Sequence, residues 1–317
     1  MDFKKTHHPS LINGVIVMEF AICYGGLDNP QATTNVLLEN EISIIETGAD
    51  FFLNSDDEKI KQTAKAFIAK DITIRSVHAP FGSEFNLSDF DEEKRDKAIQ
   101  VHEELLYKTA LADVEMIIIH PGESASSKED IEKMSKIAID SISQLVGTAE
   151  ETGVRLAVEN MPAGCPGCDI QHIVDILEKI DSLSLGVCFD SGHAHIVGKM
   201  QEFIETIGGA IINVHVHDND GTYDMHLQPP YGTTDWRVFA ETLLSVGYDD
   251  IITIEAAPWT GASFKQMVRE VSAVIENAIL PDEWQSSNAN ISLRCLKCGH
   301  AILRSKGQWF CNCTYGE

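Results

Sequence analysis

Short apolar segments rich in β-branched residues recur along the chain and alternate with longer amphipathic segments. Most of the short segments are almost continuously hydrophobic, as parallel strands are when helices cover their sheet. They comprise residues 14–20, 42–46, 72–78, 114–120, 154–160, 184–190, 210–217 and 250–255. This alternation predicts eight β-strands separated by α-helices.

The longer segments place apolar residues at a spacing near 3.6 and have recognisable ends. The clearest are residues 91–112, 128–152, 235–246 and 263–280, and the last three are followed by Gly153, Gly247 and Pro281. Eight strand–helix units in about 280 residues match a (β/α)8 barrel in number and size. A doubly wound open sheet is the alternative, but no G-x-G-x-x-G follows the first strand.

Composition is typical of a soluble globular protein, with 317 residues, 44% hydrophobic and 23% charged. No uncharged apolar run reaches the roughly 18 residues that a membrane span needs, because the best candidate, residues 11–26, contains Glu19. The first residues, MDFKKTHHPS, lack the apolar core of a signal peptide. These features predict no membrane contact and a cytoplasmic location.

The chain is strongly acidic. It has 24 Lys and Arg against 49 Asp and Glu, which gives a net charge of −25. A surface that binds a phosphate backbone needs concentrated positive charge. The charge balance therefore argues against nucleic acid as a partner and favours a role in solubility.

Imidazoles and carboxylates lie where six consecutive predicted strands end. In a (β/α)8 barrel these ends form the active-site face, so the side chains should converge. Each residue alone is more often a core or capping residue, but buried carboxylates are costly unless paired or bound to metal. The set predicts a site for a divalent metal. Its members are His78, His120, Glu159, Asn160, Asp190, His193, His215, His217, Asp218 and Glu255, with Asp224 and His226 in the loop after the seventh strand.

Six segments together resemble the xylose isomerase-like barrel superfamily across residues 14–280. They are SVHAPFG, IIHPGE, LAVENMP, FDSGHAH, NVHVHDNDGTYDMHLQPPYGTTDW and ITIEA. The superfamily contains sugar and sugar phosphate isomerases and epimerases, and also the apurinic endonuclease, endonuclease IV. The resemblance implies a single-metal site formed by Glu159, Asp190, His215 and Glu255. The endonuclease pattern of nine ligands for three zinc ions would add His78, His120, His193, Asp224 and His226.

The loops separate these two activities. The segments after His78 and His215 are acidic, whereas a DNA-binding version needs basic and aromatic side chains. We therefore expect a divalent-metal-dependent isomerase or epimerase that acts on a sugar or related polyol through an enediolate, with Mn, Zn, Co or Mg as the barrel ion. Glu159 and Glu255 would transfer the proton. A lyase or dehydratase is a close variant, an endonuclease IV-like phosphodiester hydrolase is the alternative, and a non-catalytic barrel is a third possibility.

Three further residues are candidates for substrate binding. Glu46, at the end of the second strand, could bind a substrate hydroxyl or simply end the strand. His217 is the second candidate. Both His217 and the nearby His195 could support the ligands or act as an acid or base, but the sequence favours packing or capping for each. Arg237 is the only Lys or Arg between His215 and Glu255.

A small C-terminal module is predicted after the barrel. The chain divides into a barrel over residues 1–284, a polar linker over 285–292 and a zinc ribbon over 293–317. The ribbon is predicted from the motif C-x2-C-x12-C-x-C, in which four thiolates would form a tetrahedral zinc site. Disulfides or free thiols are the alternative. Its cysteines are Cys295, Cys298, Cys311 and Cys313. This structural zinc module could bind a partner protein or a second copy of the chain.

A separate C-P-G-C segment follows Glu159 at the predicted barrel mouth. Cys165 and Cys168 could form a redox switch or an additional metal clip. Because nothing around them resembles thioredoxin, the sequence favours a turn with two incidental thiols.

Overall fold

The computed structural model describes the backbone of residues 10–12, 15–279, 303–305 and 308–310, and the side chains of residues 18–276. The predicted linker and the four cysteines of the predicted zinc ribbon lie outside the described residues. The ribbon and its zinc therefore stay predictions.

An antiparallel hairpin precedes the barrel. Its strands are β1 (Ser10–Ile12) and β2 (Val15–Val17). The first predicted strand, residues 14–20, is therefore wrong in position, since part of it pairs in this hairpin and the barrel begins at Phe20. The apolar segment is continuous from the hairpin into the barrel, so hydrophobicity alone could not locate the break.

Eight parallel strands form a closed barrel. They are β3 (Phe20–Cys23), β4 (Ile44–Gly48), β5 (Thr73–His78), β6 (Met116–Ile119), β7 (Arg155–Glu159), β8 (Leu185–Asp190), β9 (Ile211–Val216) and β10 (Ile252–Ile254). Each strand pairs with its neighbour in the chain, and β10 pairs with β3 to close the ring. The predicted (β/α)8 barrel is confirmed.

Ten α-helices occur among the described residues. They are α1 (Pro30–Glu39), α2 (Asp50–Leu53), α3 (Asp57–Ile68), α4 (Glu92–Ala110), α5 (Lys128–Thr152), α6 (Ile170–Ile180), α7 (Ser191–Val197), α8 (Met200–Ile207), α9 (Trp236–Ser245) and α10 (Phe264–Ile279). Asp91, Ser127 and Asp235 cap α4, α5 and α9 with side-chain oxygens that accept first-turn N–H groups. No described helix has the length and apolar character that a bilayer span requires.

A partly buried ion pair lies near the start of the barrel strands. Arg75 on β5 is 2% exposed, and its two terminal nitrogens each lie 2.7 Å from an oxygen of Asp250. The same guanidinium donates to the backbone carbonyl of Ile212, at 3.2 Å. This pair ties β5 to β9 and to the residues that lead into β10.

Two short strands are described beyond the barrel. β11 (Leu303–Ser305) and β12 (Gln308–Phe310) form an antiparallel pair within the segment predicted as a ribbon.

Candidate metal centre

The predicted residues converge at the C-terminal rim of the barrel. Glu159 and Asp190 are the last residues of β7 and β8, His215 lies within β9, and Glu255 follows β10. Ligand atoms of these four residues all lie within 4.8 Å of one another. The convergence expected from the strand ends is therefore present in the structure.

These four residues, the central group, surround one point with electron-pair donors. His215 Nδ1 lies 3.0 Å from Glu255 Oε2, 3.4 Å from Glu159 Oε1 and 3.9 Å from Asp190 Oδ2. That nitrogen and one oxygen of each carboxylate are buried without a hydrogen-bond partner. Buried polar atoms are normally paired, so these atoms fit a cation among them.

Two histidines extend the central group on one side. His78 Nε2 and His120 Nε2 lie 3.4 and 3.1 Å from Glu159 Oε2, and the three ligand atoms could hold an ion. The ring of Phe81 lies 5.6 Å from His78 and 5.4 Å from His120, and this side chain is 65% exposed. An aromatic surface therefore borders the centre next to this histidine pair.

Four residues form the flanking cluster on the other side of Asp190, and they are His193, His217, Asp224 and His226. Asp224 Oδ2 lies 3.3 Å from His193 Nε2 and 3.1 Å from His226 Nε2, and Asp224 Oδ1 lies 3.6 Å from His217 Nε2. His217 Nε2 also lies 3.1 Å from Asp190 Oδ1. The flanking cluster therefore adjoins the central group.

The histidine tautomers support metal binding. The Nδ1 atoms of His78, His193 and His226 lie 2.8, 2.8 and 3.0 Å from the backbone oxygens of Ala79, Asn160 and Glu255. A carbonyl only accepts, so each Nδ1 carries the hydrogen and each neutral Nε2 is an acceptor. Each Nε2 nevertheless faces a carboxylate oxygen, and only a proton or a metal ion between the two makes that contact favourable.

Where no metal ion is bound, a proton lies between each Nε2 atom and the carboxylate oxygen that it faces. Burial lowers the pKa of His193, but Asp190 and Asp224 outweigh it and raise the pKa to about 10. Burial likewise opposes protonation of His78, but Glu159 raises its pKa to about 9. Burial raises the pKa of Glu159, and the surrounding imidazoles hold it well below its usual range. Metal binding here must displace protons from imidazoles.

Glu46 lies behind His215. Its carboxylate is 1% exposed, receives the Ser76 hydroxyl at 2.6 Å and lies 3.0 Å from His215 Nε2. His215 Nε2–H therefore donates to Glu46, which leaves Nδ1 as the acceptor that faces the central group. Substrate contact by Glu46 stays a prediction, and the geometry places this residue behind His215.

The remaining candidates have varied surroundings. His217 is 0% exposed. Arg237 begins α9 behind Trp236, and its Nε donates to Glu241 at 2.7 Å. His195 lies 2.8 Å from the Thr233 hydroxyl. Roles for these residues stay predictions.

Asp218 organises the loop that carries Asp224 and His226. Its carboxylate accepts from the Trp236 indole at 3.0 Å and from the backbone N–H of Thr234 at 3.1 Å. The sequence placed Asp218 among the polar strand ends but gave it no role. Asp218 directly follows the seventh predicted strand, residues 210–217, and this position was the sequence signal that could have indicated its role.

The C-P-G-C segment forms a turn. The Cys168 N–H donates to the Cys165 carbonyl at 3.2 Å, and Gly167 between them has φ +90°. Cys165 Sγ lies 3.6 Å from Ser124 Oγ, and both cysteines are free thiols. The turn agrees with the reading that the sequence favours.

The described loops at the barrel mouth contain acidic residues but no Lys or Arg. The segments that connect each strand to the next helix, between residues 24 and 263, contain no Lys or Arg but eleven Asp or Glu. The sequence indicated this acidity for two loops, and the structure extends it to the whole rim. No Lys or Arg in these described loops can neutralise an anionic group.

Comparison with known proteins identifies the family. The profile of the xylose isomerase-like TIM barrel family matches residues 39–273. The chain belongs to this family. The family expected from the sequence motifs is thereby confirmed.

Three proteins are similar in sequence to more than half of the chain. The uncharacterised protein MJ1311 of Methanocaldococcus jannaschii is 31% identical over 214 residues, 65% of this chain and 73% of its own length. The inosose isomerase of Bacillus licheniformis is 24% identical over 52% of this chain and 62% of its own. A probable endonuclease 4 of Acholeplasma laidlawii is 24% identical over 58% of this chain and 67% of its own.

Solved structures also superpose on the chain. A D-tagatose 3-epimerase-like protein is 25% identical, with a TM-score of 0.70 over 84% of this chain and 99% of its own. The IOLI protein, solved with a bound zinc atom, is 16% identical, with a TM-score of 0.67 over 81% and 97% of the two chains. At 16% identity, the similarity to the IOLI protein shows a shared fold alone.

Proposed function

We propose that the protein is a divalent-metal-dependent isomerase or epimerase of an uncharged sugar or related polyol. The observation that carries the proposal is the meeting of Glu159 and Glu255 with His215 and Asp190 at one point of the barrel mouth. An ion held by these four residues would supply Lewis acidity to adjacent carbonyl and hydroxyl oxygens of the substrate. Mn, Zn, Co and Mg are the candidate ions.

In this reaction the two glutamates would transfer the proton. They come from β7 and β10, which are separate positions on the rim. Glu159 is buried among imidazoles that keep it ionised, whereas Glu255 is 19% exposed. Because their surroundings differ, one carboxylate can take the proton from a substrate carbon and the other can return it. If the enediolate expelled a β-substituent instead, the reaction would be that of a lyase or dehydratase.

The rim and the relatives support a small uncharged substrate. A phosphate or carboxylate would find no Lys or Arg in the strand-to-helix connections between residues 24 and 263. The exposed ring of Phe81 offers an apolar face for the C–H groups of a sugar. An inosose isomerase and a D-tagatose 3-epimerase-like protein are among the similar proteins.

Exchange of a carbon-bound hydrogen tests the proposal. The metal-loaded protein should exchange such a hydrogen of a ketose or cyclitol ketone with deuterium from solvent. Glu255→Gln keeps a coordinating oxygen but removes the base, so we expect at least a 100-fold slower exchange with metal still bound. Glu41→Gln, an exposed glutamate that pairs with Lys265, is the matched control and should retain the wild-type rate. Absence of exchange by the unsubstituted protein across a broad panel of neutral sugars would contradict the proposal.

Phosphodiester hydrolysis is the second candidate. It is favoured by the histidine pair and the flanking cluster on either side of the central group, and by the endonuclease 4 relative. A cluster of ions held by these residues would supply an activated water. The acidic rim opposes duplex DNA, so we expect no cleavage of abasic DNA. Efficient cleavage without sugar exchange would favour this candidate instead.

A further inference from the structure

The C-P-G-C turn brings Cys165 and Cys168 together at the barrel mouth. Pro166 and Gly167 occupy its two central positions, and Gly167 has φ +90°. Proline followed by a residue with positive φ is typical of a type II turn. The N–H of Cys168 donates to the carbonyl of Cys165 at 3.2 Å and closes the turn. The sequence motif alone does not specify this closure.

A turn of this kind suits a disulfide between its first and fourth residues. The Cα atoms of these residues lie less than about 7 Å apart in a β-turn, and disulfides join Cα atoms about 4.4–6.8 Å apart. Both Cys165 and Cys168 are free thiols. Thioredoxin-like surroundings are not needed for a disulfide, which requires only this backbone geometry and an oxidant.

Neighbouring elements hold the turn in this shape. The N–H of Gly167 donates to His172 Nδ1 at 3.2 Å, and its carbonyl accepts from the N–H of Met161 at 3.2 Å. His172 lies in α6, is 7% exposed, and places Nε2 3.3 Å from Glu132 Oε1 on α5. Because both polar backbone groups of Gly167 are engaged, the turn is held closed from two sides.

We propose that Cys165 and Cys168 form a reversible dithiol–disulfide site whose oxidant is a low-molecular-weight disulfide. Cys168 is half-buried, whereas Cys165 is 6% exposed, so Cys168 is the thiol that meets the oxidant first. Burial also raises the pKa of the Cys165 thiol, which makes it the less ionised partner in an encounter with an oxidant. Its attack on Cys168 occurs within one turn and therefore needs no second encounter.

The exchange proceeds in two steps that balance. The thiolate of Cys168 attacks one sulfur of the small disulfide, whose S–S bond breaks and releases the first small thiolate. The thiolate of Cys165 then attacks Cys168 Sγ in the mixed disulfide and releases the second. The two protons lost by the cysteines are taken up by the two released thiolates. The cysteine pair is oxidised by two electrons, and the small disulfide is reduced to two thiols.

The site adjoins the loops that follow β6 and β7. A Cβ at Gly167 would lie 2.8 Å from Pro121 Cγ and 3.3 Å from the carbonyl oxygen of Glu159. The N–H of Ala125 also donates to the carbonyl of Gly164, at 2.9 Å. A disulfide in the turn would therefore restrict movement of the wall of the mouth that these two loops form.

Peptide mass spectrometry tests the inference. The native full-length protein is equilibrated with glutathione at several ratios of the oxidised to the reduced form, quenched with acid, alkylated and digested with trypsin. The peptide over residues 156–179 contains Cys165 and Cys168 and no other cysteine. We expect it to become two hydrogens lighter and resistant to alkylation as the ratio rises, and to recover both free thiols with dithiothreitol. A peptide that keeps two alkylated thiols at every ratio, or that carries a glutathione on each cysteine, overturns the inference.

The serine variants test the order of attack. Cys165→Ser should leave Cys168 as a mixed disulfide with glutathione, because the second thiol is missing. Cys168→Ser should leave Cys165 mostly free, because this thiol is buried. Equal glutathionylation of the two variants would contradict the assigned order.

A glycine variant tests the turn itself. Gly167→Ala places a side chain at positive φ, and the dithiol can relax this strain by opening the turn whereas the disulfide cannot. We expect the disulfide to need a ratio of oxidised to reduced glutathione about tenfold higher than in the unsubstituted protein. Gly147→Ala, at an open position inside α5, is the matched control and should keep the original ratio. Circular dichroism checks folding, and an unchanged ratio in folded Gly167→Ala would show that the turn does not favour the disulfide. None of these measurements depends on exchange of a sugar hydrogen, so the proposed function is tested separately.

Discussion

The direction in which a buried histidine presents a lone pair depends on the group behind it. At His215 that group is the carboxylate of Glu46, whereas at His78, His193 and His226 it is a backbone carbonyl. Backbone carbonyls persist through any substitution of a side chain. The orientation of His215 can therefore be changed by a single mutation, whereas that of the other rings cannot.

We predict that Glu46→Gln weakens metal binding at the central group. The amide removes the negative charge that polarises His215, and loss of such an outer partner costs about 10–100-fold in metal affinity. Competition with a chelating dye measures this change. Glu41→Gln, an exposed glutamate paired with Lys265, is the control and should bind metal as the unsubstituted protein does. An unchanged affinity in Glu46→Gln would favour substrate contact instead, especially if KM rises.

At the scale of elements, helix ends agree with local sequence signals more closely than strand starts do. Helix α5 ends where the sequence predicted, because Gly153 adopts φ +72°, which other residues rarely do. Asp91 and Asp235 likewise cap the helices that they precede. The start of the first barrel strand was missed because its position depends on pairing with β10, which involves residues far away in the chain.

Substitution by alanine should have opposite effects on stability at two glycines, one inside α5 and one directly after its last residue. Gly153→Ala forces a side chain into positive φ and should lower the free energy of unfolding by about 1 kcal/mol. Gly147 lies inside the helix with no atom within 4 Å of an added Cβ. Gly147→Ala should therefore raise the free energy by about 0.5–1 kcal/mol. Urea denaturation measures both, and changes of the same sign would contradict the account.

At the scale of the whole molecule, the closed barrel explains why the convergence of the candidate ligands could be predicted. Parallel strands end at one rim, so the sequence positions of Glu159 and Asp190 sufficed to place them together. The contacts of Glu46 and His217 could not be predicted in the same way. They depend on which ring nitrogen faces which oxygen across strands 27 or 169 positions apart in the chain.

The Arg75–Asp250 ion pair, at the end of the barrel opposite the candidate metal centre, should contribute more to the free energy of unfolding than an exposed pair does. Asp250→Ala would leave the buried guanidinium of Arg75 without its counterion, at a cost of about 3 kcal/mol in the free energy of unfolding. Glu241→Gln removes an exposed pair with Arg237, and we expect a change of less than about 0.5 kcal/mol. Denaturant titration of both variants checks the contrast. Similar losses would show that the Arg75–Asp250 pair contributes no more to stability than an exposed pair does.

The acidic rim also acts at a distance, before any molecule touches the centre. Its charges set up a negative potential that extends about 10 Å into solvent at 0.1 M salt. Divalent cations are drawn towards the mouth and arrive faster, whereas phosphate esters are slowed on approach. Selection at this mouth therefore begins with the rate of encounter. Added salt should reduce the difference in encounter rate between neutral and anionic compounds.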